Sequence, residues 1–91
     1  MKFRLIYVCK GEAVSAIPQD VIRYDLKASI PNLERDGYQV DDKDMMLIAR
    51  KEGIEVTIYM NGRLMISPMK DKEWARKISE ATYESLVVES E

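Results

Sequence analysis

No histidine occurs among the 91 residues. The chain therefore lacks the side chain most used for proton transfer near neutral pH, which is also the commonest metal ligand, and most hydrolytic constellations are absent with it. The one cysteine, Cys9, excludes an intramolecular disulfide and fits a reducing compartment, so a cytoplasmic location is expected. Glycine is sparse: Gly11, Gly37, Gly53 and Gly62 stand far apart, and none belongs to a phosphate cradle. No apolar run approaches the roughly 20 residues that span a bilayer, so a soluble chain without membrane association is expected. Leu5-Ile6-Tyr7-Val8-Cys9 is too short for a secretory signal and ends at Lys10. The formal net charge of -2 provides no bulk attraction to nucleic acid, although a local basic patch can persist within an acidic average.

The chain does have material for a core. At 46% hydrophobic and 33% charged residues it is too apolar to remain disordered, and its length suits a single domain over residues 1–91. Phe3 to Cys9 has strand composition, with Phe3, Leu5, Tyr7 and Cys9 expected to face the core and Lys2, Arg4, Ile6 and Val8 to face away. Asp20 to Ile30 suits two elements. Ile22, Tyr24, Leu26, Ala28 and Ile30 alternate as in a strand, while Ile22, Leu26 and Ile30 fall at helical spacing between Pro18 and a terminating Pro31. A short further turn of helix to Asp36 would end at Gly37. Met45 to Arg50 and Ile54 to Met60 read as strands around a Lys51-Glu52-Gly53 turn.

Asn61-Gly62 is the strongest local signal, and its composition predicts a two-residue type I′ turn that returns Arg63 to Ser67 beside the preceding strand. Val56, Ile58, Leu64 and Ile66 should then form the core face, with Thr57, Tyr59, Met65 and Ser67 opposite. Asp71 is the expected N-cap of a helix reaching about Val88, with Trp74, Ala75, Ile78, Ala81, Thr82, Ser85 and Leu86 buried. The expected fold class is α+β, an antiparallel sheet with two helices packed on one face.

No catalytic residue emerges. Cys9 alternates with core positions and reads as a structural thiol. Asp41-Asp42-Lys43-Asp44 lacks the glycine and distal glutamate of a calcium loop and reads as a solvated segment before a strand, so no metal or cofactor is assigned. What remains is a surface. Thr57, Tyr59, Met65 and Ser67 should lie near Ile6 and Val8, rimmed by Lys2, Arg4, Arg50 and Arg63, and a partly apolar sheet face of this kind suggests a partner.

From about Gln19 to Leu86 the chain resembles one repeat of the TATA-box-binding protein family. The likeness is sharpest in Ile58-Tyr59-Met60-Asn61-Gly62-Arg63-Leu64-Met65-Ile66-Ser67-Pro68 and Lys70-Asp71-Lys72-Glu73-Trp74-Ala75-Arg76-Lys77, the family's strand, glycine turn, basic residue, strand and alanine-rich helix. Ile30-Pro31-Asn32 resembles the proline-asparagine after the family's first helix, which favours a helix for Asp20 to Ile30. The resemblance implies half of a saddle whose sheet face meets the DNA minor groove, with Tyr59 at a wedge position and Met65 and Ser67 at contact positions. The chain departs from the family at the second wedge, near Asp42 to Asp44, and at Pro68, which replaces a glycine. The expected activity is non-catalytic binding through the open sheet face to another protein, including a second copy of the chain. The alternative is minor-groove binding by a dimer, using Lys2, Arg4, Arg50, Arg63 and Tyr59.

Overall fold

The computed structural model describes residues 2–8 and 12–89, so the expectations for Cys9 and for the turn at Lys10-Gly11 fall outside the described residues. In chain order the elements are β1 (Phe3–Val8), β2 (Ala13–Pro18), β3 (Tyr24–Asp25), α1 (Leu26–Arg35), β4 (Gln39–Asp42), β5 (Met46–Lys51), β6 (Ile54–Tyr59), β7 (Leu64–Ser67), α2 (Lys72–Ser85) and β8 (Val87–Val88). Six strands form one antiparallel sheet in the order β1-β2-β7-β6-β5-β4, and β3 pairs with β8. One face of the large sheet supplies Leu5, Val14, Ala16, Leu47, Ala49, Val56, Ile58, Leu64 and Ile66 to a core completed by Leu26 and Leu33 of α1, Ala75 and Tyr83 of α2, and Leu86. Both helices therefore cover the same face, and the fold is the α+β arrangement read from the sequence.

The hairpin forms with a different loop. Tyr59 N–H donates to Arg63 O at 3.0 Å and Gly62 N–H to Tyr59 O at 2.9 Å, which leaves Met60, Asn61 and Gly62 as a three-residue connection. Only Gly62 of the three takes a positive φ, +87°. This is a turn closed by a left-handed glycine rather than a type I′ pair. Parity is the physical reason. A two-residue loop would put Ile58 opposite Met65 and mix the faces, whereas the third residue sets Ile58 opposite Leu64 and Val56 opposite Ile66, which keeps the apolar side chains together.

Asp20 to Ile30 resolves into two parts. Tyr24 and Asp25 are strand, and the helix begins only at Leu26, where the Asp25 carboxylate accepts the Ala28 N–H at 3.0 Å. Pro31 does not terminate α1 but lies within it, on the exposed side, and Gly37 follows the C-cap at φ +98° as expected. In α2, Asp71 caps as predicted, through Glu73 N–H at 2.9 Å and Trp74 N–H at 3.3 Å. The helix stops at Ser85, because Val87 and Val88 leave it to pair with Tyr24 and Asp25. Its buried residues are Ala75, Ser79, Thr82, Tyr83 and Ser85, leaving Trp74 half exposed and Ala81 exposed. All but Tyr83 are small, because the helix lies close over the sheet, a requirement that outranks apolarity.

Tyr7 is on the helix side of β1, as alternation predicts, yet remains 48% exposed. It lies level with the start of α2, where Lys72 Nζ is 4.8 Å from its ring centroid and Lys70 O accepts its hydroxyl at 2.8 Å. β2 and β4 had no counterpart in the sequence reading. Ala13 to Ser15 are buried on both sides of the sheet, so β2 shows no alternation, and β4 carries Asp41 and Asp42 in a segment that reads as a loop.

Candidate interaction surface

The face of the large sheet turned away from the helices is built by every second residue of its strands. Across its middle, the register aligns Ile6, Ser15, Met65, Thr57, Ile48 and Asp41. On one side of that row lie Arg4, Ile17, Arg63, Tyr59 and Met46, and on the other Val8, Ala13, Ser67, Glu55, Arg50 and Gln39. Ile6, Ile17, Met46, Ile48, Thr57, Tyr59 and Met65 are each half-buried by neighbours on the face, with no element among the described residues above them. Strand spacing and rise give this apolar centre an area on the order of 300–400 Å².

Thr57, Tyr59, Met65, Ser67, Arg63, Arg50 and Arg4 therefore all share this face. Their neighbours differ from expectation in one respect. β2 intervenes between β1 and β7, so Ile6 and Val8 lie two strands from Met65 rather than beside it. Ser15, on the intervening strand, is buried; its Oγ donates to Leu64 O at 2.9 Å and lies 3.5 Å from Arg63 Nε. Short side chains at Ala13 and Ser15, flanked by longer ones, leave two shallow depressions. One of about 280 Å³ is lined by Val8, Ser15, Tyr59, Asn61, Arg63 and Met65. The other, of about 460 Å³, is lined by Glu12, Ala13, Met65, Ser67, Pro68 and Lys70. Met65 borders both.

Charge on the face is uneven. Arg50 Nε lies 3.1 Å from Glu55 Oε1 and Lys43 Nζ 3.1 Å from Asp41 Oδ2. Such exposed pairs contribute little stability, but each neutralises a cation that a basic rim would need. Among the described residues Lys2, Arg4 and Arg63 enter no ion pair and lie toward the side of the face that carries Tyr59 and Ile17, while Lys70, also in no ion pair, borders the depression at Ser67 on the other side. At the opposite edge Asp41 is paired with Lys43, while Asp42 alternates to the helix side, where its carboxyl is held below its usual range, first by the Asp44 N–H it accepts and then by Lys27 of α1, whose amine is raised in turn by Asp42.

Among the described residues no three His, Cys, Asp or Glu side chains converge as a metal site, and no helix is long and apolar enough to cross a membrane. The residues missing from the sequence reading of this face are Ile17, Ser15, Met46 and Ile48. The first two were hidden with β2. Met46 and Ile48 lay within a recognised strand, and their alternation with Leu47 and Ala49 was the signal that assigns them. No family model, curated protein or solved structure matches this chain.

Proposed function

We propose that this chain is a non-catalytic binding module whose outer sheet face takes a protein segment with an apolar centre and an acidic flank. The reading rests chiefly on one observation: Ile6, Ile17, Met46, Ile48, Tyr59 and Met65 form a contiguous, uncovered apolar surface with Arg4 and Arg63 at one side. An apolar patch of this size on a small chain exceeds scattered exposure, and Met and Tyr suit interface centres. The guanidinium groups of Arg4 and Arg63 offer paired donors to carboxylates.

Minor-groove binding is the rival, favoured by Arg4, Arg63 and Tyr59 lying along one side of the face and by the resemblance to a TATA-box-binding protein repeat. The Arg50–Glu55 and Lys43–Asp41 pairs oppose it, since they place carboxylates where phosphates would approach. Selection of a displayed random-peptide library on the purified protein separates the two. Enrichment of apolar-acidic peptides that lose binding to the Met65→Glu variant supports the proposal. Absence of enrichment, together with salt-sensitive binding of a short A·T-rich duplex, replaces it with the rival.

A further inference from the structure

β1 is an outer strand of the large sheet, and only every second residue of it bonds to β2. Gln19 N–H donates to Lys2 O at 2.9 Å, so the bonded positions are Lys2 and, by alternation, Arg4, Ile6 and Val8. The N–H and C=O groups of Phe3, Leu5 and Tyr7 therefore point away from the sheet, and no element among the described residues pairs with them. The other edge, β4, is four residues long and carries Asp41 and Asp42, charges that discourage a further strand, whereas β1 has six residues and only Arg4 is charged.

Unpaired cations flank the β1 edge on both faces. Arg4 lies on the outer face, with Lys2 at the start of the strand. On the helix side Lys72 Nζ stands 4.8 Å from the Tyr7 ring centroid and Arg76 Cζ 5.9 Å from that of Phe3. The rings of the edge strand thus hold two cationic heads beside it, and they are themselves fixed: the Tyr7 hydroxyl donates to Lys70 O at 2.8 Å, and the Phe3 ring packs 5.2 Å from that of Tyr83. None of Lys2, Arg4, Lys72 and Arg76 is in an ion pair among the described residues, although the chain as a whole carries a net charge of -2.

We infer that the β1 edge takes an extended acidic segment of a partner protein as a further, antiparallel strand of the sheet. Backbone donors and acceptors that alternate along an edge are matched by another extended chain, and the surrounding charges select an acidic one. Residues of the segment opposite Tyr7, Leu5 and Phe3 would exchange hydrogen bonds with them and point toward α2, while those opposite Ile6 and Arg4 would point to the outer face. Carboxylates opposite Tyr7 and Phe3 then face Lys72 and Arg76, and one opposite Arg4 faces its guanidinium, whereas apolar residues suit Leu5 and Ile6. A second copy of β1 is the wrong occupant. Antiparallel pairing about Leu5 would set Phe3 against Tyr7 and so Arg76 against Lys72, cation to cation. A nucleic acid backbone fits less well too, because its phosphate oxygens offer nothing to the outward C=O groups of Phe3, Leu5 and Tyr7. The edge site does not depend on what the outer face binds.

Titration of the full chain with the peptide acetyl-Val-Glu-Val-Thr-Glu-Glu-Ser-amide, followed by amide NMR, tests the inference. Binding should slow hydrogen exchange at the Phe3, Leu5 and Tyr7 N–H groups. N-methylation of the threonine, whose N–H would meet Leu5, should raise the dissociation constant roughly tenfold or more, while N-methylation of the glutamate after it, whose N–H faces away, should change it less than about twofold. Arg76→Glu, an exposed change on α2, should weaken the unmodified peptide roughly tenfold, and a peptide with lysine for every glutamate should not bind. Equal effects of the two N-methylations, indifference to Arg76→Glu, or no binding at millimolar peptide overturns the inference. So does protection of the same amides by self-association of the free chain, or by a uridine oligonucleotide in place of the peptide. The Met65→Glu variant should still take this peptide, which separates the edge site from the proposed function of the outer face.

Discussion

Gly62 carries two constraints at once. Its φ of +87° lies where side chains are strained, and a Cβ there would come 2.7 Å from Tyr24 Cε2 and 3.1 Å from Pro18 Cγ. Its carbonyl in turn accepts the buried Tyr83 hydroxyl at 2.6 Å. Gly62→Ala should therefore cost about 2–4 kcal/mol of unfolding free energy, combining left-handed strain with overpacking, as read by chemical denaturation. The importance of Gly62 was legible from Asn61-Gly62 alone. Its reason was not, because both Tyr24 and Pro18 reach it from distant parts of the chain.

Tyr83 makes a second residue-scale prediction. Burial first, and then the neighbouring Tyr24, pushes its phenol far above the ordinary value, and burial also raises Tyr24 and Tyr38. An unfolded chain would ionise these groups near pH 10, while the folded one holds them neutral. The unfolded state thus gains from deprotonation, so stability is unaffected below about pH 10 and falls as pH rises beyond it. Denaturation midpoints measured across that range should decline more gently for Tyr83→Phe than for the parent, from a starting point lowered by about 1–2 kcal/mol through the unpaired Gly62 carbonyl.

At the scale of elements, legibility depended on how strongly local pattern agreed with tertiary demand. The β5-β6-β7 meander was readable because alternation, turn residues and burial coincide. α1 was only half readable: the alternation from Ile22 to Ile30 is real at Tyr24-Asp25, where β3 pairs with β8, and gives way to helical spacing at the Asp25 cap. No local feature announces a pairing with Val87-Val88, more than sixty residues on. Pro31 misled for a related reason. It removes an N–H that Lys27 C=O would accept, yet Leu26 and Leu33 are buried on either side of it and hold the helix together. Because Pro31 is exposed, Pro31→Ala should stabilise the protein by about 2 kcal/mol, the helix-interior penalty less the entropy that proline removes from the unfolded chain, measured as a shift of the denaturation midpoint. In α2, Trp74 was the attractive core candidate and Ser79 the unattractive one. Packing against the sheet reverses them, since close approach admits Ser79 and rotates Trp74 outward.

At the scale of the whole molecule, placing both helices on one side leaves a sheet face that no element among the described residues covers. The sequence made the hairpin's part of this face legible through Thr57, Tyr59, Met65 and Ser67. It concealed β2, and with it the buried Ser15 and Ala13 that shape the two depressions beside Met65. It also left unread the pairing of Arg50 with Glu55, which takes Arg50 out of the basic rim. An apolar centre of a few hundred Å² is smaller than the roughly 800 Å² per partner of a standard interface, so the face should bind reversibly.

Amide chemical-shift mapping with a selected apolar-acidic peptide, and separately with an A·T-rich duplex, tests the use of this face most directly. The peptide should move Ile6, Ser15, Ile48, Thr57 and Met65 while the helices stay still, and the duplex should move none of them at physiological salt. Peptide-induced shifts confined to α1 and α2, or duplex-induced shifts centred on Tyr59 and Arg63, would contradict this use of the face.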